Sequence, residues 1–83
     1  MPIDYRQLRN LPARKITRAL LEDGFSLRRQ EGSHKRYTHH DGRRVTVTAH
    51  KDSDTFPIKT LKSMIEIQAC WSEDDLKRLE LLS

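Results

Sequence analysis

The sequence is poor in the features that mark secreted, membrane-spanning or metal-holding proteins. Its single cysteine, Cys70, cannot form an internal disulfide and has no cysteine or histidine at a metal-ligand spacing. No apolar run is long enough to cross a bilayer, and the first residues lack the apolar stretch of a secretion signal. We therefore expect a cytoplasmic protein without a membrane partner.

Repeats and low-complexity segments are also lacking, and 83 residues leave room for one domain with a modest core. Charge is abundant instead, at 34% of residues and a formal net charge of +4. The excess is local, because the segment from Arg28 to Lys51 has seven basic and two acidic residues, a net +5. A segment of this kind favours an anionic partner such as nucleic acid.

Apolar spacing predicts the first helix. We interpret residues 1–12 as a polar lead whose role the sequence leaves open, and residues 13–83 as one domain. The helix begins near Pro12 and ends at Gly24, because glycine adopts a left-handed conformation without steric cost. Its apolar face comprises Ala13, Ile16 and Leu20, beside Thr17 and Leu21, while Arg14, Lys15 and Arg18 point outward.

Two more helices are predicted towards the C-terminus. One opens at Thr55-Phe56-Pro57 and repeats apolar residues at Ile58, Leu61 and Ile65. The other begins at Ser72, whose hydroxyl suits a helix cap and which precedes acidic residues that the helix dipole favours. We expect core or helix-packing roles without chemistry for Met64, Cys70 and Trp71.

Between the first two helices the apolar period falls to two, which indicates strands. We predict three antiparallel strands, at Phe25 to Gln30, Lys35 to His39 and Val45 to His50. The chain is then an α+β domain in the order helix, three-stranded antiparallel sheet, helix and short C-terminal helix. Phe25 and Leu27 share one face of the first strand, Tyr37 marks the buried face, and Arg28, Arg36, Arg44, His34 and His50 lie on the opposite one.

The loop between the second and third strands fixes their register. Residues directly opposite each other must share a face, which a two-residue loop would violate. A three-residue loop, His40-Asp41-Gly42, sets Tyr37 opposite Val45 and His34 opposite Thr48. His50 then lies diagonally across from His34, within mutual reach of a small bound group.

The triplet Gly32-Ser33-His34 is the strongest candidate for a functional position. A tight turn fixes the backbone of His34, and an imidazole can exchange a proton near neutral pH. The bland interpretation is an exposed turn histidine, as His50 could simply end a strand. His39 and His40, at the predicted hairpin tip, are open to RNA contact or to no role. We expect no metal site, because the histidines lack accompanying cysteines or a helical spacing.

Together these residues resemble the HicA family of toxins. The resemblance runs from about Ala13 to Leu79 and rests on the following features: Gly24-Phe25, Gly32-Ser33-His34, Tyr37, Asp41-Gly42-Arg43, the strand Val45 to His50 and the helix Leu61 to Ala69. It implies a double-stranded-RNA-binding-domain-like fold, cleavage of mRNA without a metal, and a HicB-type antitoxin as partner. It also implies that His34, in the Gly-Ser-His motif, is the catalytic residue.

Two features depart from the family pattern. Many relatives have proline two residues before the third-strand histidine, where this chain has Thr48, so the edge can continue pairing. The lead before Ala13 also lies outside the shared pattern. Both leave open whether this copy is an active toxin.

We therefore expect the exposed sheet face to bind an RNA backbone and present His34 to a phosphodiester, without a cofactor. His34 would act as general acid or base, with His50 as a second proton-transfer group. An RNA-binding module without catalysis is the alternative, and a pure interaction protein explains the charge less well. The residues expected to bind RNA are Arg28, Ser33, Lys35, Arg36, Arg44 and Lys51.

Overall fold

The computed structural model describes residues 3–82 and confirms the predicted α+β class and order of elements. A 3₁₀ turn, Tyr5–Gln7, precedes the first helix. The main elements are α1 (Ala13–Glu22), β1 (Ser26–Glu31), β2 (His34–Thr38), β3 (Arg44–Thr48), α2 (Ile58–Lys62), which continues as a π-helical segment (Ser63–Gln68), and α3 (Glu73–Arg78). This layout is consistent with a double-stranded-RNA-binding-domain-like fold.

Helix α1 buries the predicted face and ends as predicted. Gly24 has a φ of +100°, in the left-handed region, and a Cβ there would lie 2.8 Å from Nε2 of His39. Two details were wrong: Leu21 is 53% exposed, and Arg18 is half-buried, where its guanidinium donates to the Leu79 carbonyl at 3.2 Å. Ala13, Ile16, Ala19 and Leu20 are buried.

The sheet has the order β1-β2-β3, and its second pairing matches the predicted register. Tyr37 lies opposite Val45 and His34 opposite Thr48. Gly42 closes the hairpin loop with a φ of +101°, which a residue with a Cβ rarely adopts. Tyr37 is 3% exposed, so the buried face of β2 is also confirmed.

The first pairing contains a β-bulge that the sequence analysis missed. The register shifts between Leu27 and Arg29, so Arg29 lies opposite Arg36 and Arg28 has no partner in the ladder. The predicted strict alternation therefore does not hold through the bulge, and Arg29, not Arg28, is the residue opposite Arg36. Leu27 does pair with Tyr37, yet it is 47% exposed because β1 is an edge strand and the π-helical segment packs on β3.

Strand β3 ends at Thr48, two residues earlier than predicted. The Ala49 N–H still donates to the Ser33 carbonyl at 3.1 Å. Beyond it, the Asp54 carboxylate accepts the backbone N–H groups of His50 and Lys51, at 2.9 and 3.1 Å, and the chain turns away from the sheet. The strand geometry that placed His50 diagonally across from His34 therefore does not apply.

Helix α2 also departs from the prediction. Leu61 and Ile65 are buried, but Ile58 is 36% exposed. The helix widens into the π-helical segment, where the Ala69 N–H donates to the carbonyl of Met64, five residues earlier. Cys70 follows with a φ of +56° and is exposed, so its predicted core role was wrong.

The core confirms packing roles for Met64 and Trp71, which are 2% and 4% exposed. Helix α3 begins with the predicted Ser72 cap, completed as a capping box by Asp75. The N-terminal lead also packs on this core through buried Tyr5, Leu8 and Leu11. The Tyr5 hydroxyl donates to Glu66 in the π-helical segment.

Candidate functional site

His34 begins β2, one residue before the predicted start of that strand, and lies on the exposed face of the sheet as predicted. Its Nδ1 lies 3.1 Å from Oγ1 of Thr48, the residue opposite it on β3. Because both backbones are held in the strand ladder, this hydrogen bond anchors the imidazole from one side. The other ring nitrogen, Nε2, has no hydrogen-bond partner among residues 3–82.

A cavity of about 250 Å³ opens at His34. We call it the His34 cavity. Three of its lining side chains are cationic, whereas Glu31 is its carboxylate and forms an ion pair with Arg29. The cavity therefore has a surplus of positive charge beside an accessible imidazole, which suits a phosphodiester. Its lining residues are Arg29, Glu31, His34, Lys35, Arg36 and Thr46.

Arg29 and Thr48 are the site residues that the sequence analysis did not find. Counting back from the two-residue turn Gly32-Ser33 pairs Glu31 with His34 and Arg29 with Arg36. The position of Arg29 opposite Arg36 could therefore have been predicted from this turn. The predicted register already placed Thr48 opposite His34, but its hydroxyl was given no role. Of the predicted RNA-binding residues, Arg28 and Arg44 are exposed and line neither the His34 cavity nor the second cavity described below.

The second cavity, also about 250 Å³, lies where the β1–β2 turn meets the start of α1 and the loop after β3. We call it the His50 cavity. Lys35 lines both cavities, whereas His34 lines only the first of these two and His50 only the second. The structure therefore groups His34, Lys35 and Arg36 together, and separately groups Ser33, Lys35, His50 and Lys51.

His39, one of the two histidines at the hairpin tip, is largely buried and hydrogen-bonded within the fold. Its side chain is only 11% exposed, and its Nδ1 accepts the Asp41 N–H at 3.1 Å. Nε2 therefore carries the proton and donates to the Asp23 carbonyl at 2.8 Å. The ring also meets Phe25 edge-on, with centroids 5.1 Å apart, so His39 joins the hairpin to the end of α1. His40 is exposed.

At the end of α1, three side chains with N–H groups surround the Asp23 carboxylate. It accepts from Nε1 of Trp71 at 2.9 Å and from Arg78 at 2.8 Å, and Arg43 lies 3.2 Å away. Burial disfavours the charge, but these hydrogen bonds and guanidinium charges outweigh burial and hold the pKa of Asp23 below its ordinary value. The network joins α3 and the hairpin to the end of α1.

Metal-ligand clusters and membrane-spanning helices are both absent from the part of the chain that the structure describes. Across residues 3–82, no three His, Cys, Asp or Glu side chains are grouped as metal ligands would be. None of the helices in that range combines the length and apolar character needed to cross a membrane.

Comparison with known protein families gives a match over most of the chain. The family model described as HicA toxin of bacterial toxin-antitoxin matches residues 13–69, which is most of the 83-residue chain. No curated protein matches the chain. The matched range contains the Gly32-Ser33-His34 turn, the whole sheet and every residue that lines the two cavities. The chain therefore belongs to the HicA toxin family of bacterial toxin–antitoxin systems.

Proposed function

We propose that this toxin is a metal-independent endoribonuclease that cleaves mRNA, with His34 as its general acid or base. The observation that carries the proposal is the anchored imidazole of His34 in an exposed cavity lined by Arg29, Lys35 and Arg36. An anchored imidazole and fixed cations are what in-line transfer at a phosphodiester needs from a protein.

The proposed reaction is an internal transfer within the RNA chain. The ribose 2′-oxygen attacks the adjacent phosphorus, the bond from the 2′-oxygen to phosphorus forms, and the bond from phosphorus to the 5′-oxygen breaks. Nε2 of His34 takes the proton of the 2′-hydroxyl while water protonates the departing 5′-oxygen, or it gives a proton to that oxygen while water takes the proton of the 2′-hydroxyl. Arg29 and Arg36 stabilise the negative charge that develops on the phosphoryl oxygens.

The basic residues around the cavity would hold the RNA backbone. Lys35 and Arg36 line the His34 cavity, and Arg28 and Arg44 extend the exposed positive surface along the flanking strands. Such contacts to phosphates carry affinity without sequence preference. A HicB-type antitoxin would silence the toxin by covering this surface.

A role for His50 in proton transfer stays a prediction. The two histidines line separate cavities, which supports a binding role for His50. Proton transfer by His34 does not depend on which role His50 has.

Induction of wild type and His34→Ala in a bacterial host tests the proposal, with growth and mRNA integrity as readouts. Wild type should stop growth and fragment mRNA, and folded His34→Ala should do neither. His40→Ala is the matched control, because His40 is exposed and lines neither the His34 nor the His50 cavity. Toxicity and cleavage by folded His34→Ala equal to wild type would contradict the catalytic assignment. RNA binding without cleavage by wild type would favour the non-catalytic RNA-binding module.

A further inference from the structure

The His50 cavity has the composition of a phosphate-binding site. Lys35, His50 and Lys51, whose side chains carry cationic or N–H donor groups, border it together with Ser33, whose side chain carries a hydroxyl. Asp52 is the acidic residue in its lining. Positive charge thus exceeds negative charge in a concave space of about 250 Å³.

The loop that carries His50 and Lys51 is held in place before any ligand binds. Asp54 accepts the backbone N–H groups of both residues through its carboxylate, and its carbonyl accepts the N–H of Ala13 at 2.8 Å. The Asp52 carbonyl accepts the N–H of Arg14 at 2.9 Å. Because these bonds occupy the first donors of α1, an anion in the cavity would be held by side chains on a fixed loop and not by the helix terminus.

The position of the cavity relates it to the proposed reaction. Ser33 and His34 are consecutive residues, yet Ser33 lines the His50 cavity and His34 lines the other. Lys35 lines both. An RNA strand crossing the β1–β2 turn would therefore pass from one cavity to the other along a shared lysine.

We propose that the His50 cavity is a subsite for an RNA backbone phosphate that flanks the bond cleaved at His34. The inference rests on the proposed function, since it takes the RNA strand to be bound at His34. It assigns His50 to substrate binding, with Lys51 as its partner, and not to proton transfer. Removing either side chain then weakens RNA binding while the chemistry at His34 proceeds normally.

Phosphate neutralisation in short RNAs tests the subsite. In a set of otherwise identical oligonucleotides, each internucleotide phosphate is replaced in turn by a neutral methylphosphonate, and binding is measured to His34→Ala protein, which leaves the RNA intact. One flanking position should weaken binding about tenfold when neutralised. In His34→Ala protein that also carries Lys51→Ala or His50→Ala, neutralising that same position should have little further effect, because the contact is already lost.

Lys59→Ala in the same background is the matched control, since Lys59 is exposed on α2 and lies outside both cavities. It should leave the tenfold effect unchanged. The RNA could instead bind while neutralisation of every phosphate weakens binding to the Lys51→Ala and His50→Ala proteins as much as it does without those substitutions. That result would overturn the subsite proposal and leave the proposed function of His34 unaffected. If the protein binds no RNA, both the subsite and the proposed function fail.

Kinetics of the cleaving protein separate binding from proton transfer. His50→Ala and His50→Gln should raise KM several-fold and leave kcat and the pH dependence of kcat as in wild type. Lys51→Gln should behave similarly. A fall in kcat with loss of one limb of the pH profile in both His50 variants would overturn the subsite role and support proton transfer by His50.

Discussion

Thr48 and His34 face each other across β2 and β3, and the hydroxyl oxygen of Thr48 lies 3.1 Å from Nδ1 of His34. Orientation of the imidazole therefore depends on a hydroxyl that the neighbouring strand supplies. In the proposed reaction Thr48 is a positioning residue, because its hydroxyl acts through His34 and not on the RNA itself.

Thr48→Val should lower kcat for RNA cleavage by about 10–100-fold, because the imidazole loses the contact that aligns it. KM should change little. Thr48→Ser should restore most of the rate, since it returns the hydroxyl without the methyl group. Steady-state cleavage of a short RNA measures both parameters. A Thr48→Val enzyme with wild-type kcat would show that the hydrogen bond does not position His34.

Salt dependence of RNA binding should distinguish the residues of the His34 cavity from other exposed arginines. Arg29→Ala and Arg36→Ala should each reduce the slope of log affinity against log salt by about 0.7, because each phosphate contact releases counterions. Arg28→Ala and Arg44→Ala should weaken binding with smaller slope changes, since neither lines that cavity. Arg9→Ala, at an exposed position of the lead, is the control. Identical slopes in Arg36→Ala and wild type would move the RNA site elsewhere.

Acid should weaken the fold partly through Asp23. The pKa of Asp23 is lower in the folded protein than its ordinary value of 3.8, so the unfolded chain binds more protons as pH falls below about 4. Its stabilising contribution is fully present at neutral pH and is lost as pH falls through the depressed value. Asp23→Asn should lower the free energy of unfolding by about 2–3 kcal/mol at pH 7 and by less at pH 3.

Urea unfolding at both pH values measures this difference. Asp74→Asn removes one charge from the exposed first turn of α3 and serves as the control, with little expected effect at either pH. An equal loss of stability at pH 7 and pH 3 in Asp23→Asn would show that the network contributes through packing and not through the charge of Asp23.

A bound antitoxin should cover the exposed face of the sheet. Hydrogen exchange of the toxin, alone and in complex with its antitoxin, should show new protection along β2 around His34 and Arg36, because a basic active surface is silenced by occlusion. Co-purification of the toxin with a candidate antitoxin provides the complex. New protection restricted to α3 would indicate inhibition by another route.

Parity counting predicted the pairing of β2 with β3, because that hairpin has a strong signal on both strands. Tyr37, Val45 and Val47 alternate with polar residues, and Gly42 marks the loop. β1 offers no such signal, since Leu27 is its single apolar residue and all six of its residues are exposed. A bulge between Leu27 and Arg29 therefore moves no residue out of the core. The alternation of apolar and polar residues that starts at Phe25 could not reveal it.

The position of His50 depends on contacts that the spacing of apolar residues in the sequence does not reveal. Whether β3 continued past Thr48 was decided by Asp54, whose carboxylate captures two backbone N–H groups from the loop. The exposed position of His34 was predictable from the turn that precedes it. The separation of His34 from His50 was not, because it follows from that loop and from its bonds to the start of α1.

The buried contact between Trp71 and Asp23 gives the toxin an internal optical reporter. Trp71 is the chain's only tryptophan, is 4% exposed, and packs edge-on against Phe25 with ring centroids 6.5 Å apart. Indole emission shifts to longer wavelength when the ring enters water, so intrinsic fluorescence registers separation of the C-terminal part of the chain from the end of α1. Toxin variants that have lost activity can thus be sorted by emission spectrum into those that remain folded and those that do not, without a label on the surface proposed to bind RNA.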